Sequence, residues 1–255
     1  MTATSGALML LASCRPAAAS LELGPGAGAA TTANASLATS VRSDAASRVQ
    51  LLRTVNRLPK VAFPRLRPDC LSQGEDFGAW TVRFDGYGCV TVTGTGDQGA
   101  LALGPKVAAK DWHTHAPLVL GPAYARHLLL HARVETTAQL REGAPNPWEV
   151  AWVIWQYEDD TRFYYFIPKP NGWELGKRDP AYPGGQRFLA SGTTERFPIG
   201  RVHDVTVVQD DDRIAVFVDG REIVRTRDAE KPYRQGRIGI YAEDAVIKVH
   251  AVRAL

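Results

Sequence analysis

Three kinds of residue in this chain could carry chemistry: closely spaced aromatics, carboxylates beside them, and a spaced pair of histidines. The run Pro147-Trp148-Glu149-Val150-Ala151-Trp152-Val153-Ile154-Trp155-Gln156-Tyr157 is followed by Glu158-Asp159-Asp160 and then by Phe163-Tyr164-Tyr165-Phe166. An aromatic face and an amide are what a pyranose needs, a flat apolar surface for its C–H side and a hydrogen-bonding group for its hydroxyls. Trp148, Trp152, Gln156, Tyr164 and Trp173 are therefore candidate ligand-binding residues. The competing reading is that both strand faces are buried and the aromatics are core. Cleavage of a glycosidic bond would normally need two carboxylates about 5–10 Å apart. Outside the evident turns these are Glu149 and Glu174. Glu149 enters an apolar strand, where burial would raise its pKa and suit it to an acid role; a satisfied structural carboxylate at a strand end is the alternative. His113 and His115 flank Thr114, and alternation sends both to one side. With a carboxylate they could bind a metal, move protons or contact a ligand; otherwise they are solvated residues at a strand entry. The runs Glu158-Asp159-Asp160 and Asp210-Asp211-Asp212 read as solvated hairpin turns.

Several function classes fall away. No phosphate-cradling glycine loop, nucleophile elbow or zinc-protease helix occurs, and three scattered cysteines do not make a zinc site. Thirty basic against 27 acidic side chains leave a net charge of +3, too slight to argue for nucleic acid as a partner. No apolar run approaches the ~20 residues of a transmembrane helix. A chain of 255 residues has room for one sizeable domain and a leader.

The elements that must position these residues follow from the hydrophobic pattern. Residues 1–19 resemble an export signal, or a lipoprotein leader in which Leu11-Ala12-Ser13-Cys14 would place a lipid anchor on Cys14, although the positively charged start is missing. An extracellular or cell-surface location is the expectation. Residues 20–40 are almost wholly Ala, Gly, Ser and Thr and read as a tether. Residues 41–70 form a basic entry segment with a helix expected over 44–56, where Val49, Leu52 and Val55 recur at helical spacing before Pro59. That segment is either a solvated helix or a surface for an anionic wall or lipid. If Cys14 belongs to the leader, Cys70 and Cys89 either form a disulfide in an oxidising compartment or stay as two reduced thiols.

From residue 71 to 255 the period is two. Trp80, Val82 and Phe84 alternate with Thr81 and Arg83; Leu128, Leu130, Ala132 and Val134 alternate with His127, His131 and Arg133. Asp219-Gly220 between alternating runs signals a tight hairpin, because that turn needs positive φ at both central positions. Many short strands with no intervening helix predict an all-β, antiparallel two-sheet sandwich, with closure into a barrel as the alternative.

Over residues 75–255 these pieces resemble the concanavalin A-like, laminin G-like jelly roll. The strand 151–157, the turn into Phe163-Tyr164-Tyr165-Phe166, Asn171-Gly172-Trp173-Glu174-Leu175, Phe217-Val218-Asp219-Gly220 and Gly236-Arg237-Ile238-Gly239-Ile240-Tyr241 carry the resemblance. Within that superfamily the chain looks most like secreted domains of the 3-keto-disaccharide hydrolase type. The resemblance implies two curved sheets with a ligand on the concave one. It puts Val153 and Trp155 in the core and turns Trp152 and Gln156 toward the groove. It also implies a structural calcium near the domain ends, with Glu75, Asp76, Glu243 and Asp244 as its oxygen ligands. The Glu-x-Asp-x-Glu strand of laminarinase-like glycosidases is absent. The superfold hosts lectins, glycosidases, lyases and adhesion modules, so the expected function is carbohydrate binding on an aromatic sheet. Glycan cleavage and protein adhesion are the alternatives.

Overall fold

The structure, a computed structural model, describes residues 45–64, 67–94, 99–110 and 112–255. The leader 1–19 with Cys14 and the tether 20–40 lie outside the described residues. One helix, α1 (Ala45–Arg57), precedes sixteen strands.

The strands form two eight-stranded sheets. In order across the first sheet lie β1 (Arg67–Leu71), β4 (Cys89–Thr93), β5 (Ala100–Gly104), β16 (Ala245–Ala254), β7 (His127–Gln139), β12 (Val202–Asp210), β13 (Arg213–Val218) and β14 (Arg221–Arg227). Across the second lie β11 (Gln186–Gly192), β10 (Gly172–Arg178), β9 (Arg162–Lys169), β8 (Ala151–Asp159), β15 (Gly236–Ala242), β6 (Pro117–Tyr124), β3 (Trp80–Asp85) and β2 (Asp76–Phe77). Every pairing is antiparallel. Two open sheets, not a closed barrel, are the outcome. The hairpin at Asp219-Gly220 has φ of 52° and 76°, the left-handed backbone its sequence signals. Cys70 and Cys89 form a disulfide that ties β1 to β4.

Period two gives the central strands of the second sheet, β8 and β9, two apolar faces. Val153, Trp155, Tyr164, Phe166, Trp173 and Leu175 meet Leu130, Val207 and Val216 of the first sheet in the main core. On the opposite face of the second sheet, Val150, Trp152, Ile154, Tyr165, Ile167 and Tyr241 form a second apolar layer. Burial on both faces explains the near-continuous aromatic and aliphatic run in β8, where only Gln156 and Glu158 interrupt it before the turn. The alternation breaks at Gln156, whose φ is 49° and around which the pairing of β8 with β9 slips. Gln156 is the extra residue of a β-bulge, so Tyr157 takes the next place on the Trp152 face. Gly236 of β15 lets the neighbouring backbone close on this bulge, since a Cβ there would lie 2.4 Å from the Gln156 carbonyl carbon.

The entry segment does not stand clear of the sandwich. Leu51 and Val55 of α1 pack on Ala215 and Phe217, on the outer face of the first sheet, while Leu52 and Arg53 remain exposed. The backbone N–H of Val61 donates to Val252 O at 2.9 Å, and Ala254 N–H donates to Pro59 O at 3.2 Å, so residues 59–61 extend the sheet along β16. A chain beginning at Pro64 should therefore be less stable than one beginning at Ala45, by roughly 2–4 kcal/mol after the entropy of ordering the segment is subtracted from the apolar burial lost. Equal urea midpoints for the two chains would show that the docked helix contributes nothing.

Candidate functional site

Polar residues converge at one end of the sandwich, where three connections meet: 105–116 between β5 and β6, 140–150 between β7 and β8, and the tight turn Glu243-Asp244 between β15 and β16. Asp244 takes a left-handed φ of 39° in that turn. Its backbone and side chain are both fixed: Asp244 N–H donates to His115 O at 3.1 Å, and Oδ1 accepts the His115 N–H at 2.9 Å. Arg141 reaches in from the end of β7. It donates from Nη2 to Asp244 Oδ2 at 2.7 Å and from Nε to Glu149 Oε1 at 2.6 Å. Asn146 Nδ2 also donates to Glu149 Oε1, at 2.8 Å, while Glu149 Oε2 is buried without a hydrogen-bond partner.

Glu243 completes a set of three buried carboxyl groups. Burial pushes its pKa up to about 8, and the charges of Asp244 and Glu149 push the same way, against hydrogen bonds from Tyr241 and Trp148. Asp244 is also raised, by burial first, with the His115 N–H and Arg141 opposing. One guanidinium thus serves two carboxylates, and the third acid holds its proton.

In front of this set lies a cleft of about 320 Å³ lined by Val107, Ala108, Ala109, Arg141, Glu142 and Asp244. Two exposed aromatics pack on the histidines at this end of the sandwich. Trp112, 69% exposed, meets the edge of the His113 ring at 6.1 Å, and Lys110 Nζ lies 5.3 Å from its centroid. Tyr87, 58% exposed, packs on His115 at 4.8 Å. His115 Nδ1 bonds Lys106 O at 2.7 Å, and His113 O accepts from Arg141 Nη2 at 3.4 Å. The His115 ring is thus held by a backbone carbonyl, while the His113 ring meets Trp112.

Of the sequence candidates, the structure gathers Trp148, Glu149, Glu243, Asp244, His113 and His115 at this end and leaves the others elsewhere. Trp152 does lie on the face away from the main core, but its ring packs 5.1 Å from Tyr165 and 5.0 Å from Tyr241, and its indole N–H donates to Trp148 O. At 3% exposure it is part of a packed aromatic layer and offers no open platform. Gln156 is fully buried at the bulge with Nε2 on Ala125 O, which removes it from the expected groove row. Tyr164 and Trp173 belong to the main core: Tyr164 stacks on Trp155 at 5.5 Å, and Trp173 on Phe166 at 6.3 Å. Glu174 accepts from Lys169 Nζ at 2.8 Å and Tyr165 OH at 3.3 Å, on the strand two places from β8. Glu149 and Glu174 are thus each paired with a cation of its own, Arg141 and Lys169.

The expected calcium ligands do not come together either. Glu75 accepts from Ser72 N–H and Asp76 from Thr81 Oγ1 at the β2 edge, while Glu243 and Asp244 sit at the β15–β16 turn. No group of three or more His, Cys, Asp or Glu among the described residues is placed to hold a metal ion. The Arg141 guanidinium supplies the positive charge between Glu149 and Asp244, so this donor set does not fit calcium.

Sequence reading missed Arg141, Asn146, Trp112 and Tyr87. Trp112 carried a usable signal: a tryptophan beside Lys110 and Asp111 in a polar connection has no strand face to fill. Arg141 carried none, because its role depends on the β7 end reaching the β15–β16 turn.

Among the described residues no helix is long and apolar enough to cross a membrane. No protein-family model and no curated protein sequence matches the chain. Among solved structures it is similar to the carbohydrate-binding module CBM66 from Bacillus subtilis, at 12% identity and a TM-score of 0.50, over 69% of this chain and 94% of that one. It is also similar to the exoplasmic/lumenal domain of VIP36 in its Ca2+/Man-bound form, at 11% identity, a TM-score of 0.48, and 75% and 91% of the two chains. A third is a glycoside hydrolase family 16 protein of Bacteroides ovatus, at 9% identity, a TM-score of 0.46, and 69% and 94%. At such identities the likeness concerns the fold alone. Two antiparallel eight-stranded sheets in this order, with the shape shared with the first of these, give the chain the concanavalin A-like jelly-roll fold.

Proposed function

We propose that this jelly roll is a carbohydrate-binding protein and that it takes its glycan in the cleft at the end of the sandwich. The observation that carries the reading is an open cleft lined by the exposed Glu142 and by Arg141, which Asp244 holds in place, with the exposed Trp112 in the same 105–116 connection that supplies Val107, Ala108 and Ala109 to the lining. A carboxylate and a guanidinium bond sugar hydroxyls with fixed geometry, and an exposed indole offers a face to the C–H side of a pyranose. Binding is favoured over cleavage because Glu149 and Glu243 lie behind the cleft wall, buried to 0% and 3%, and reach no cleft surface. The disulfide Cys70–Cys89 supports an oxidising compartment, in keeping with export to the cell surface or beyond.

Calorimetric titration of the purified protein against a panel of plant, algal and bacterial oligosaccharides tests this. Trp112→Ala is expected to weaken binding of the best ligand roughly tenfold, about 1.4 kcal/mol, with no change in melting temperature since the ring is exposed. Undiminished binding by this variant would put the site elsewhere. Release of defined oligosaccharides from a polymer would replace the binding reading with an enzymatic one.

A further inference from the structure

Charge is divided unevenly along the chain. Residues 41–67 carry seven basic side chains and one acidic one, whereas over residues 68–255 acids exceed bases by three. The small net charge of +3 thus hides a strongly basic entry segment attached to a mildly acidic sandwich. Helix α1 lies in that segment, with Arg48, Arg53 and Arg57 and no acidic residue.

The docking of α1 fixes which side of it meets solvent. Leu51 and Val55 turn to Ala215 and Phe217, which leaves Leu52, Arg53, Asn56 and Arg57 exposed, followed by Lys60. Arg53 points opposite the docked side, Arg57 follows it one turn on in the same row, and Leu52, 42% exposed, borders the exposed face. No carboxylate among the described residues pairs with Arg53 or Arg57. The acids that share this outer face on β12 and β14 are engaged elsewhere: Asp204 with Arg133 at 3.2 Å, Asp210 with His127 at 2.8 Å and Glu222 with Arg225 at 2.7 Å.

A helix laid on a sheet forms a ridge, so its row of unpaired cations meets an extended surface and does not enclose a single small anion. A basic helix face bordered by an exposed leucine suits the headgroup plane of an anionic bilayer, where each Lys or Arg adds about fivefold in affinity. We propose that the solvent face of α1 is a docking surface for a membrane carrying anionic phospholipid. The lipid anchor expected at Cys14 lies upstream of this helix, and one acyl chain gives only marginal attachment unless a basic patch supplies a second signal. The docking surface itself rests on α1. It leaves the cleft free, because the helix covers the outer face of the first sheet while the cleft opens at the end of the sandwich.

The test is co-sedimentation of the full chain, carrying Cys14→Ser so that no acyl chain contributes, with vesicles of phosphatidylcholine alone or with about a third phosphatidylglycerol. Binding to the anionic vesicles is expected to exceed binding to the neutral ones by roughly tenfold or more in low salt, and to fall to the neutral level near 1 M salt, where the Debye length is about 3 Å. Arg53→Gln combined with Arg57→Gln should weaken anionic binding by roughly 25-fold at an unchanged melting temperature, since both side chains are exposed. Arg53→Lys combined with Arg57→Lys keeps the charge and should keep the binding. Arg126→Gln combined with Arg196→Gln lowers the net charge equally at exposed positions of the sandwich and should weaken binding by roughly threefold at most. Equal binding to both kinds of vesicle, or none to either, would overturn the proposal. Equal losses from the two glutamine pairs would do the same by marking general charge attraction, and loss in the lysine pair would make the two arginines packing residues. Binding to soluble polyphosphate without binding to vesicles would assign the helix to an anionic polymer and equally overturn it.

Discussion

Asp228→Ala is expected to destabilise the protein by about 3–5 kcal/mol, the range for removing one partner of a buried ion pair. Asp228 and Lys177 are both fully buried, and the Asp228 carboxylate is a shared acceptor. It receives Lys177 Nζ at 2.8 Å, Tyr164 OH at 2.7 Å and Arg187 Nη1 at 3.0 Å. Tyr164 OH in turn accepts the Tyr233 N–H at 3.1 Å, and Lys177 Nζ also donates to Glu230 O at 2.7 Å. The network therefore fastens the connection between β14 and β15 to three strands of the second sheet, β9, β10 and β11. Without Asp228, the ammonium of Lys177 keeps backbone carbonyls and the more distant Asp179 but loses its nearest counter-charge. For a domain of this size the loss corresponds to a fall of roughly 10 °C in Tm. Asp228→Asn should fall between the variant and native protein, since an amide oxygen still accepts but carries no charge. A loss below about 1 kcal/mol for Asp228→Ala would show that water reaches Lys177 and that the pair is not buried in solution.

The same strands show what the sequence could and could not convey. The alternation of Leu128, Leu130, Ala132 and Val134, and the Asp219-Gly220 turn, depend only on neighbours along the chain, so the sandwich was legible from them, whereas Phe84, read as sharing a face with Trp80 and Val82, packs on the outer layer because the pairing of β3 with β6 slips after Val82. The orientation of Tyr164 was not, because it depends on register. Trp155 pairs with Tyr164 across β8 and β9, and directly opposed residues share a face; once Trp155 is core, Tyr164 must be core too. Gln156 failed for a different reason: a bulge inserts one residue and shifts every later side chain by one place, which no period-two count detects. The pairing of Cys70 with Cys89 likewise followed from β1 lying beside β4. The helical spacing of Val49, Leu52 and Val55 located α1 but not its docked face, since Leu51 and Val55 pack on Ala215 and Phe217 while Leu52 is exposed; which side is covered depends on where Phe217 sits on the neighbouring sheet.

Glu243 makes the second large effect, a dependence of stability on pH opposite to that of ordinary carboxylates. Its pKa is raised to about 8 in the folded protein, from an ordinary value of 4.5. Between those two values the folded state binds a proton that the unfolded state has released. Stability conferred by the protonated form is thus fully present below pH 4.5 and is lost as pH rises toward 8, at a slope approaching 1.4 kcal/mol per pH unit for one proton. Asp244 is shifted the same way by burial. Asp159, Asp179, Asp211, Asp219 and Glu195 are lowered instead, so their contributions are established below the window and are flat across it. The expected result is a Tm that falls steadily from pH 5 to pH 8, by an amount equivalent to about 3–5 kcal/mol. Glu243→Gln keeps the shape and the hydrogen-bonding capacity of the protonated acid and has nothing to ionise, so it should flatten the profile and melt above native protein at pH 8. Glu149→Gln should act on the same slope from a distance, because removing its charge lowers the Glu243 pKa and moves the fall toward lower pH. A native Tm that is level or rises between pH 5 and 8 would mean that Glu243 is ionised in the folded state, with Arg141 serving three carboxylates instead of two.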